Sequence, residues 1–304
     1  EPAKHPDAMA YVLSGKEGPT LVIGAGGGRE VRAALSAGQT EVHAVEINRA
    51  IVEDVMLGKL KDFSAGLYAR PEVKVVVADG RSFVRATEQR YRSIVLSLVD
   101  TWAASGAGAL SLTENALYTE EAVADYLRAL DERGVLVMNR WDPELPRLIA
   151  LAAAGLSRAG VLDPSRHLFA CAANETTALL VARTELGADE LERLRKHCQK
   201  YRFRERFAPD RQEHESLLAL ARSPHGASRA MPGPDVSPPT DDRPFFFYTV
   251  APRDLWATLK SRALLEKEQP GLLAVVMLLL VSGACSLLSF LAVLAFGRRS
   301  GTGP

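Results

Sequence analysis

The run Leu21-Val22-Ile23-Gly24-Ala25-Gly26-Gly27-Gly28-Arg29-Glu30 joins a short apolar segment to a glycine cluster and then to a helical stretch. A short apolar run of this kind reads as a buried strand. Glycines after it let the chain turn tightly and let a ligand approach the backbone, and the helix that follows offers unpaired N–H groups at its start. A dinucleotide fingerprint, G-x-G-x-x-G, needs a third glycine at the position that Arg29 occupies. The pattern present is G-x-G-x-G, from Gly24, Gly26 and Gly28. Glu46 ends the next apolar segment, Val42-His43-Ala44-Val45-Glu46, about 20 residues past the glycines, where an acidic residue can accept both hydroxyl hydrogens of a ribose. A third segment ends in Ala78-Asp79-Gly80. Asp79 can accept from an adenine amino group with Gly80 leaving room for the base, and Asp79 is equally suited to cap a helix starting at Arg81. Acidic or glycine residues at three successive strand ends specify a nucleoside-like ligand much more sharply than any one of them.

These residues need strands to end where they stand. Residues 21–23, 41–45, 74–77, 93–96, 134–138, 167–172 and 177–183 read as strands, and 30–37, 48–57, 81–87, 119–130 and 145–159 as helices, with Thr119 as an N-cap. Such alternation implies an α/β domain over residues 1–185, a Rossmann-like, doubly wound, mostly parallel seven-stranded sheet. Residues 186–269 form an extension packing on it, with an amphipathic helix at 187–199 and another helix at 254–268. Between them, the proline density of residues 222–244 predicts no helix. Residues 271–296 carry no charge, longer than the roughly 20 apolar residues that span a bilayer. A transmembrane helix is therefore expected at 270–297, with basic residues on both flanks leaving its orientation open.

Composition narrows the function classes. With 37 basic and 37 acidic residues there is no basic excess pointing to nucleic acid. Cys171, Cys198 and Cys285 have neither metal-ligand spacing nor the density of a disulfide framework, so no metal is expected and a reducing compartment fits. The chain starts at Glu1 with no signal-peptide pattern. It reads as a piece of a longer protein, with room for further membrane helices upstream.

With the three strand-end elements in place, residues 15–185 resemble the spermidine synthase family of the class I methyltransferase superfamily. The resemblance rests on the glycine loop, on Val45-Glu46-Ile47-Asn48, on Arg70-Pro71-Glu72-Val73, on Ala78-Asp79-Gly80 and on Leu117-Tyr118-Thr119-Glu120-Glu121. That family uses decarboxylated S-adenosylmethionine and transfers an aminopropyl group to a diamine. The resemblance implies a cofactor set of Gly24, Gly26, Gly28, Glu46, Ile47, Asp79, Gly80 and Ser97, holding S-adenosylmethionine or its decarboxylated form. It implies Asp100 as the catalytic acid–base residue and Trp102, Glu114 and Tyr118 as the lining for a small-molecule acceptor, an amine or another nucleophile. More narrowly, Ser97-Leu98-Val99-Asp100-Thr101-Trp102, Thr113-Glu114-Asn115 and Thr240-Asp241-Asp242-Arg243-Pro244-Phe245-Phe246-Phe247 resemble a bacterial group of multi-helix membrane proteins. That implies the lipid bilayer as a partner and a soluble domain facing the cytoplasm.

Two positions depart from the family pattern. Gly27 stands where the family carries an aspartate facing the propylamine tail, and Ser97 stands at the first position of its D-x-x-D, with Asp100 at the second. A serine hydroxyl alone is a poor general base. Three functions therefore stay open: aminopropyl transfer, methyl transfer from intact S-adenosylmethionine, and ligand binding without turnover coupled to a membrane module. His43 and His167 are expected to be structural. Phe245-Phe246-Phe247 is expected to dock the Pro-rich segment, and Asp241-Asp242-Arg243 to form a local ion-pair turn.

Overall fold

The computed structural model describes residues 4–99, 115–211, 215–230, 234–249 and 270–297. Its sheet has eight strands: β1 (Thr20–Ile23), β2 (Val42–Glu46), β3 (Val73–Val77), β4 (Tyr91–Ser97), β5 (Leu130–Trp141), β6 (Leu168–Ala173), β7 (Thr176–Ala182) and β8 (Arg204–Phe207). Their order is β3-β2-β1-β4-β5-β7-β6-β8. Strands β1 to β5 pair in parallel, while β7 runs antiparallel to both β5 and β6. Every residue of β1 and β2 is buried, as expected of central parallel strands covered on both faces. The architecture is the Rossmann-like α/β sheet expected from the alternation, with one strand more. The additional β8 pairs antiparallel with β6; its Arg-Glu-Arg-Phe sequence is too polar to read as a strand alone.

The helices are α1 (Ala10–Ser14), α2 (Arg29–Ser36), α3 (Gly80–Ala86), α4 (Glu120–Ala129), α5 (Leu145–Arg158), α6 (Ala188–Tyr201), α7 (Glu215–Arg222), α8 (Pro224–Ala230) and α9 (Pro270–Gly297). Thr119 caps α4, its hydroxyl accepting from the Ala122 N–H at 3.1 Å. Helices α4 and α5 approach closely because Gly155 has no side chain: a Cβ there would stand 2.4 Å from Val123. The helix after β2 is a π-helix, Ile51–Lys59, broken at Gly58, where an α-helix was expected. Its wide winding is visible in the Leu60 N–H donating to the Val55 carbonyl at 2.7 Å.

Helix α8 corrects the expectation that proline excludes helix throughout 222–244. Pro224 opens the helix, where its missing N–H costs no bond, and Pro232 comes only after its end. Beyond it, residues 234–246 run as a strap over α4 and α5. The Glu120 N–H donates to the Pro239 carbonyl at 3.0 Å, and the Asn115 N–H to the Pro244 carbonyl at 2.7 Å. Arg147 donates to the carbonyls of Ser237 and Phe246, and burial pulls its guanidinium down to about 10. Asp241 does not make a local ion pair. It reaches back 160 residues to Arg81, accepting from both terminal nitrogens at 3.2 Å, and takes the Thr119 hydroxyl at 2.6 Å. Phe246, 1% exposed, lies on the Tyr118 ring at 5.0 Å between centroids, so one of the three phenylalanines docks the strap as expected.

His43 and His167 are buried in structural hydrogen bonds, to the Tyr91 hydroxyl and the Ala182 carbonyl. Among the described residues, those up to Phe246 form one compact unit and the rest a second. Within the second, Met277–Leu294 of α9 has a mean hydropathy of 2.4 and is wholly exposed, so α9 is long and apolar enough to cross a membrane. Its Ser289 hydroxyl donates back to the Cys285 carbonyl at 2.8 Å, which hides a polar group inside the helix. The expected helix at 254–268 lies outside the described residues.

The strap is held chiefly by one ring. Phe246→Ala should lower the unfolding free energy by about 3–5 kcal/mol, measured by urea denaturation, whereas Phe245→Ala, at a half-buried position, should cost well under half of that.

Candidate functional site

The strand order reverses between β1 and β4: β2 and β3 lie on one side, β4 and β5 on the other. Open α/β sheets bind ligands at such a switch point, outside the C-terminal ends of the strands. Here the chain places Gly24 to Gly28 after β1, Glu46 and Ile47 at the end of β2, Asp79 and Gly80 after β3, and Ser97 at the end of β4.

The glycine loop is shaped by close packing. Gly24 has φ +71° and a Cβ there would meet Val99 at 2.7 Å; Gly28 has φ +80° and a Cβ would meet Leu67 at 2.5 Å. Gly28 is also the N-cap of α2. Gly27 differs, having no neighbour within 4 Å of a built Cβ. Glu46 ties the loop to the sheet. Its Oε2 accepts from the Gly26 N–H and its Oε1 from the Asn48 N–H, both at 2.9 Å. A carboxylate offers about four lone-pair sites, so each oxygen keeps capacity for a further donor such as a ribose hydroxyl. The Tyr68 hydroxyl, raised well above its ordinary range by burial and by the charges of Glu46 and Glu30, donates to the Gly26 carbonyl at 2.7 Å. Beside Glu46, Ile47 is 68% exposed, an apolar face left open at the strand end.

Asp79 is exposed and caps α3, accepting from the Ser82 N–H at 2.7 Å. Gly80 is demanded by the fold itself, since a Cβ would stand 2.4 Å from Ile23. Tyr118 is fully buried, pressed against Phe246 with the Arg140 guanidinium 5.2 Å from its ring centre. Its aromatic face holds the strap. Asp100, Trp102 and Glu114 lie outside the described residues.

Around Ser97 the structure assembles a charged cluster that the sequence did not single out. One terminal nitrogen of Arg29 donates to the Ser97 hydroxyl and to Glu30, and stands 3.6 Å from Asp7 Oδ2. The Asn139 amide donates to the Ser97 hydroxyl at 3.0 Å. Asp7 is 3% exposed and Glu30 7%. Burial and then the Glu30 charge push the Asp7 carboxyl up to about 6, against the pull of Arg29 and Ser97. Arg29 and Glu30 adjoin the glycine motif and were readable as neighbours of the site. Asp7 stands alone in the sequence, and only the fold brings it there.

Residues 8–153 match the family model described as "Spermine/spermidine synthase domain". The chain is 30% identical over 156 residues to polyamine aminopropyltransferase 2 of Hyperthermus butylicus, covering 51% of this chain and 48% of that one. It is 26% identical over 119 residues to the polyamine aminopropyltransferase of Korarchaeum cryptofilum (39% and 34%) and 34% identical over 125 residues to that of Clostridium perfringens (40% of each). The chain thus spans less than half the length of these curated relatives. Among solved structures, a probable spermidine synthase from Corynebacterium glutamicum superposes with a TM-score of 0.50 at 16% identity, over 71% of this chain and 77% of that one. Residues 8–153 are thus similar to a spermine/spermidine synthase domain, and the sheet shares its fold with the solved Corynebacterium glutamicum structure.

The loop geometry separates neighbouring glycines. Gly28→Ala should destabilise the fold by about 1–3 kcal/mol through its positive φ and the Leu67 contact, while Gly27→Ala should stay within about 0.5 kcal/mol of the parent. Chemical denaturation of the two variants reads the difference directly.

Proposed function

We propose that this chain is an aminopropyltransferase-type enzyme, tethered to a membrane by α9 and facing the cytoplasm, that binds decarboxylated S-adenosylmethionine and passes its aminopropyl group to an amine. The observation that carries the reading is Glu46, fixed by two backbone N–H groups at the switch point with lone pairs left for a ribose. Gly24, Gly26 and Gly28 lie against the methionine-derived part, Ile47 against the nucleoside, and Asp79 with Gly80 near the adenine. Asp100, Trp102 and Glu114 follow β4 in sequence and make up the acceptor side. The similar proteins named polyamine aminopropyltransferases support the transferred group.

The charge around Ser97 favours the decarboxylated ligand. Two buried carboxylates, Asp7 and Glu30, share one guanidinium there. An ammonium-bearing propyl tail is attracted to such a site, and the carboxylate of intact S-adenosylmethionine is repelled. Gly27 supports a second reading, methyl transfer from intact S-adenosylmethionine, because it removes the acidic group that the family places against the tail. In either reaction the enzyme's main contribution is to hold the nucleophile in line with the carbon on sulfur.

The test is turnover by the full chain in detergent, with decarboxylated S-adenosylmethionine and a panel of linear α,ω-diamines, following the thioether product. Aminopropylated amine is expected. Glu46→Gln should raise the KM for the nucleoside substrate at least about tenfold, some 1.4 kcal/mol, with the fold intact. Methylated product from intact S-adenosylmethionine, and none from the decarboxylated form, would replace this reading with the second.

A further inference from the structure

The aminopropyl reading leaves a gap at Ser97, where the family pattern has a carboxylate and this chain has a hydroxyl already engaged by Arg29 and Asn139. A hydroxyl so placed has no base of its own to accept the proton that an attacking amine must lose. Asp7 reaches the same spot from the N-terminal 3-10 turn, Pro6–Met9. The residue lies just outside the stretch that matches the family model.

Three features separate Asp7 from an ordinary structural carboxylate. First, it is not the main partner of Arg29: that guanidinium makes its short bonds to Glu30 and Ser97 and leaves Asp7 at 3.6 Å. Second, Asp7 Oδ1 is buried and has no hydrogen-bond partner among the described residues, an uncommon and costly state for a carboxylate oxygen. Third, burial and then the charge of Glu30 of α2 raise its carboxyl to about 6, while Arg29 and the Ser97 hydroxyl pull it down. Tyr11 of α1 and Cys171 of β6 both feel its charge, and neither is ionised near neutral pH, since burial raises the first and the Cys198 contact and burial raise the second.

We propose that Asp7 is the base that takes the proton from the acceptor amine, supplying from the N-terminal turn the carboxylate that Ser97 lacks. The inference rests on the aminopropyl reading. The amine lone pair forms the new N–C bond to the terminal propyl carbon as the C–S bond breaks, and that bond's electron pair goes to sulfur, leaving a neutral thioether. The nitrogen then gives its extra proton to Asp7 Oδ1, and the resulting acid returns it to solvent. A base whose pKa lies close to the working pH suits this transfer.

Three variants of the full chain test it: Asp7→Asn, Asp100→Asn, and the charge-conserving double variant Asp7→Asn with Ser97→Asp. Asp7→Asn should weaken binding of decarboxylated S-adenosylmethionine, since one carboxylate facing its ammonium tail is gone, and should in addition lose about 10²–10⁴-fold in kcat at saturating substrate. The acidic limb of its pH–rate profile, near pH 6 in the parent by the position of the Asp7 carboxyl, should disappear. The double variant should recover at least about tenfold of the loss, which a merely structural role for Asp7 would not allow. Folding gives a second readout. A carboxyl raised from 3.8 to about 6 on folding binds its proton more tightly in the folded chain, so its contribution to stability falls as pH rises through that window and stays low above it. Asp7→Asn should therefore melt higher than the parent at about pH 7.5, with the gap closing as pH falls from about 6 towards about 4. A parent that transfers aminopropyl groups, with Asp7→Asn at full rate and Asp100→Asn inactive, overturns the inference alone. A parent that transfers none overturns the proposed function and the inference with it.

Discussion

Two backbone N–H groups, from Gly26 and Asn48, hold the Glu46 carboxylate at the end of β2, and the rest of the site is arranged around that constraint. The carboxylate cannot move without freeing the glycine loop, and the loop leaves no room for a side chain, since a Cβ at Gly24 would meet Val99 and one at Gly28 would meet Leu67. Because the sheet reverses order between β1 and β4, the loop, the acid and the end of β4 stand at neighbouring C-terminal strand ends, where open α/β sheets bind ligands. The fold thereby sets a carboxylate with spare lone pairs directly beside the glycine loop. Tyr68 locks the arrangement from the far side by donating to the Gly26 carbonyl.

A second constraint comes from buried charge. Arg81, 6% exposed, is satisfied by Asp125, Asp241, Thr119 and the Ala116 carbonyl. Burial alone would weaken its charge, but Asp241 and Asp125 more than restore it. One of those partners sits on the strap, so the strap is tied to the first turn of α3, next to Asp79. The cluster around Asp7 is different in kind: its two carboxylates share one guanidinium, and one oxygen has no partner among the described residues. Fully satisfied networks stabilise a fold, whereas partly satisfied charge is retained at sites that use it.

The strand-end residues were legible in the sequence because each sits where an apolar run stops. Glu46 follows Val45, Asp79 follows Ala78, and the glycines follow Ile23, so periodicity alone places them at one edge of a sheet. The fold class followed from the same signal. Four features were hidden for physical reasons. Strand β8 is stabilised by pairing with β6 rather than by its own polar side chains. Helix α8 begins on a proline, so proline count misleads where proline position would not. Asp7 and Tyr118 owe their roles to contacts with residues far along the chain, Arg29 and Phe246, and no local pattern announces such pairings.

The site's preference between the two sulfonium ligands separates aminopropyl from methyl transfer. Calorimetric titration of the full chain in detergent with decarboxylated and with intact S-adenosylmethionine measures this most directly. The buried carboxylates beside Ser97 predict that the decarboxylated form binds at least about tenfold more tightly, a difference of about 1.4 kcal/mol. Equal or tighter binding of the intact form would contradict the account and place the chain with methyl-transferring enzymes instead.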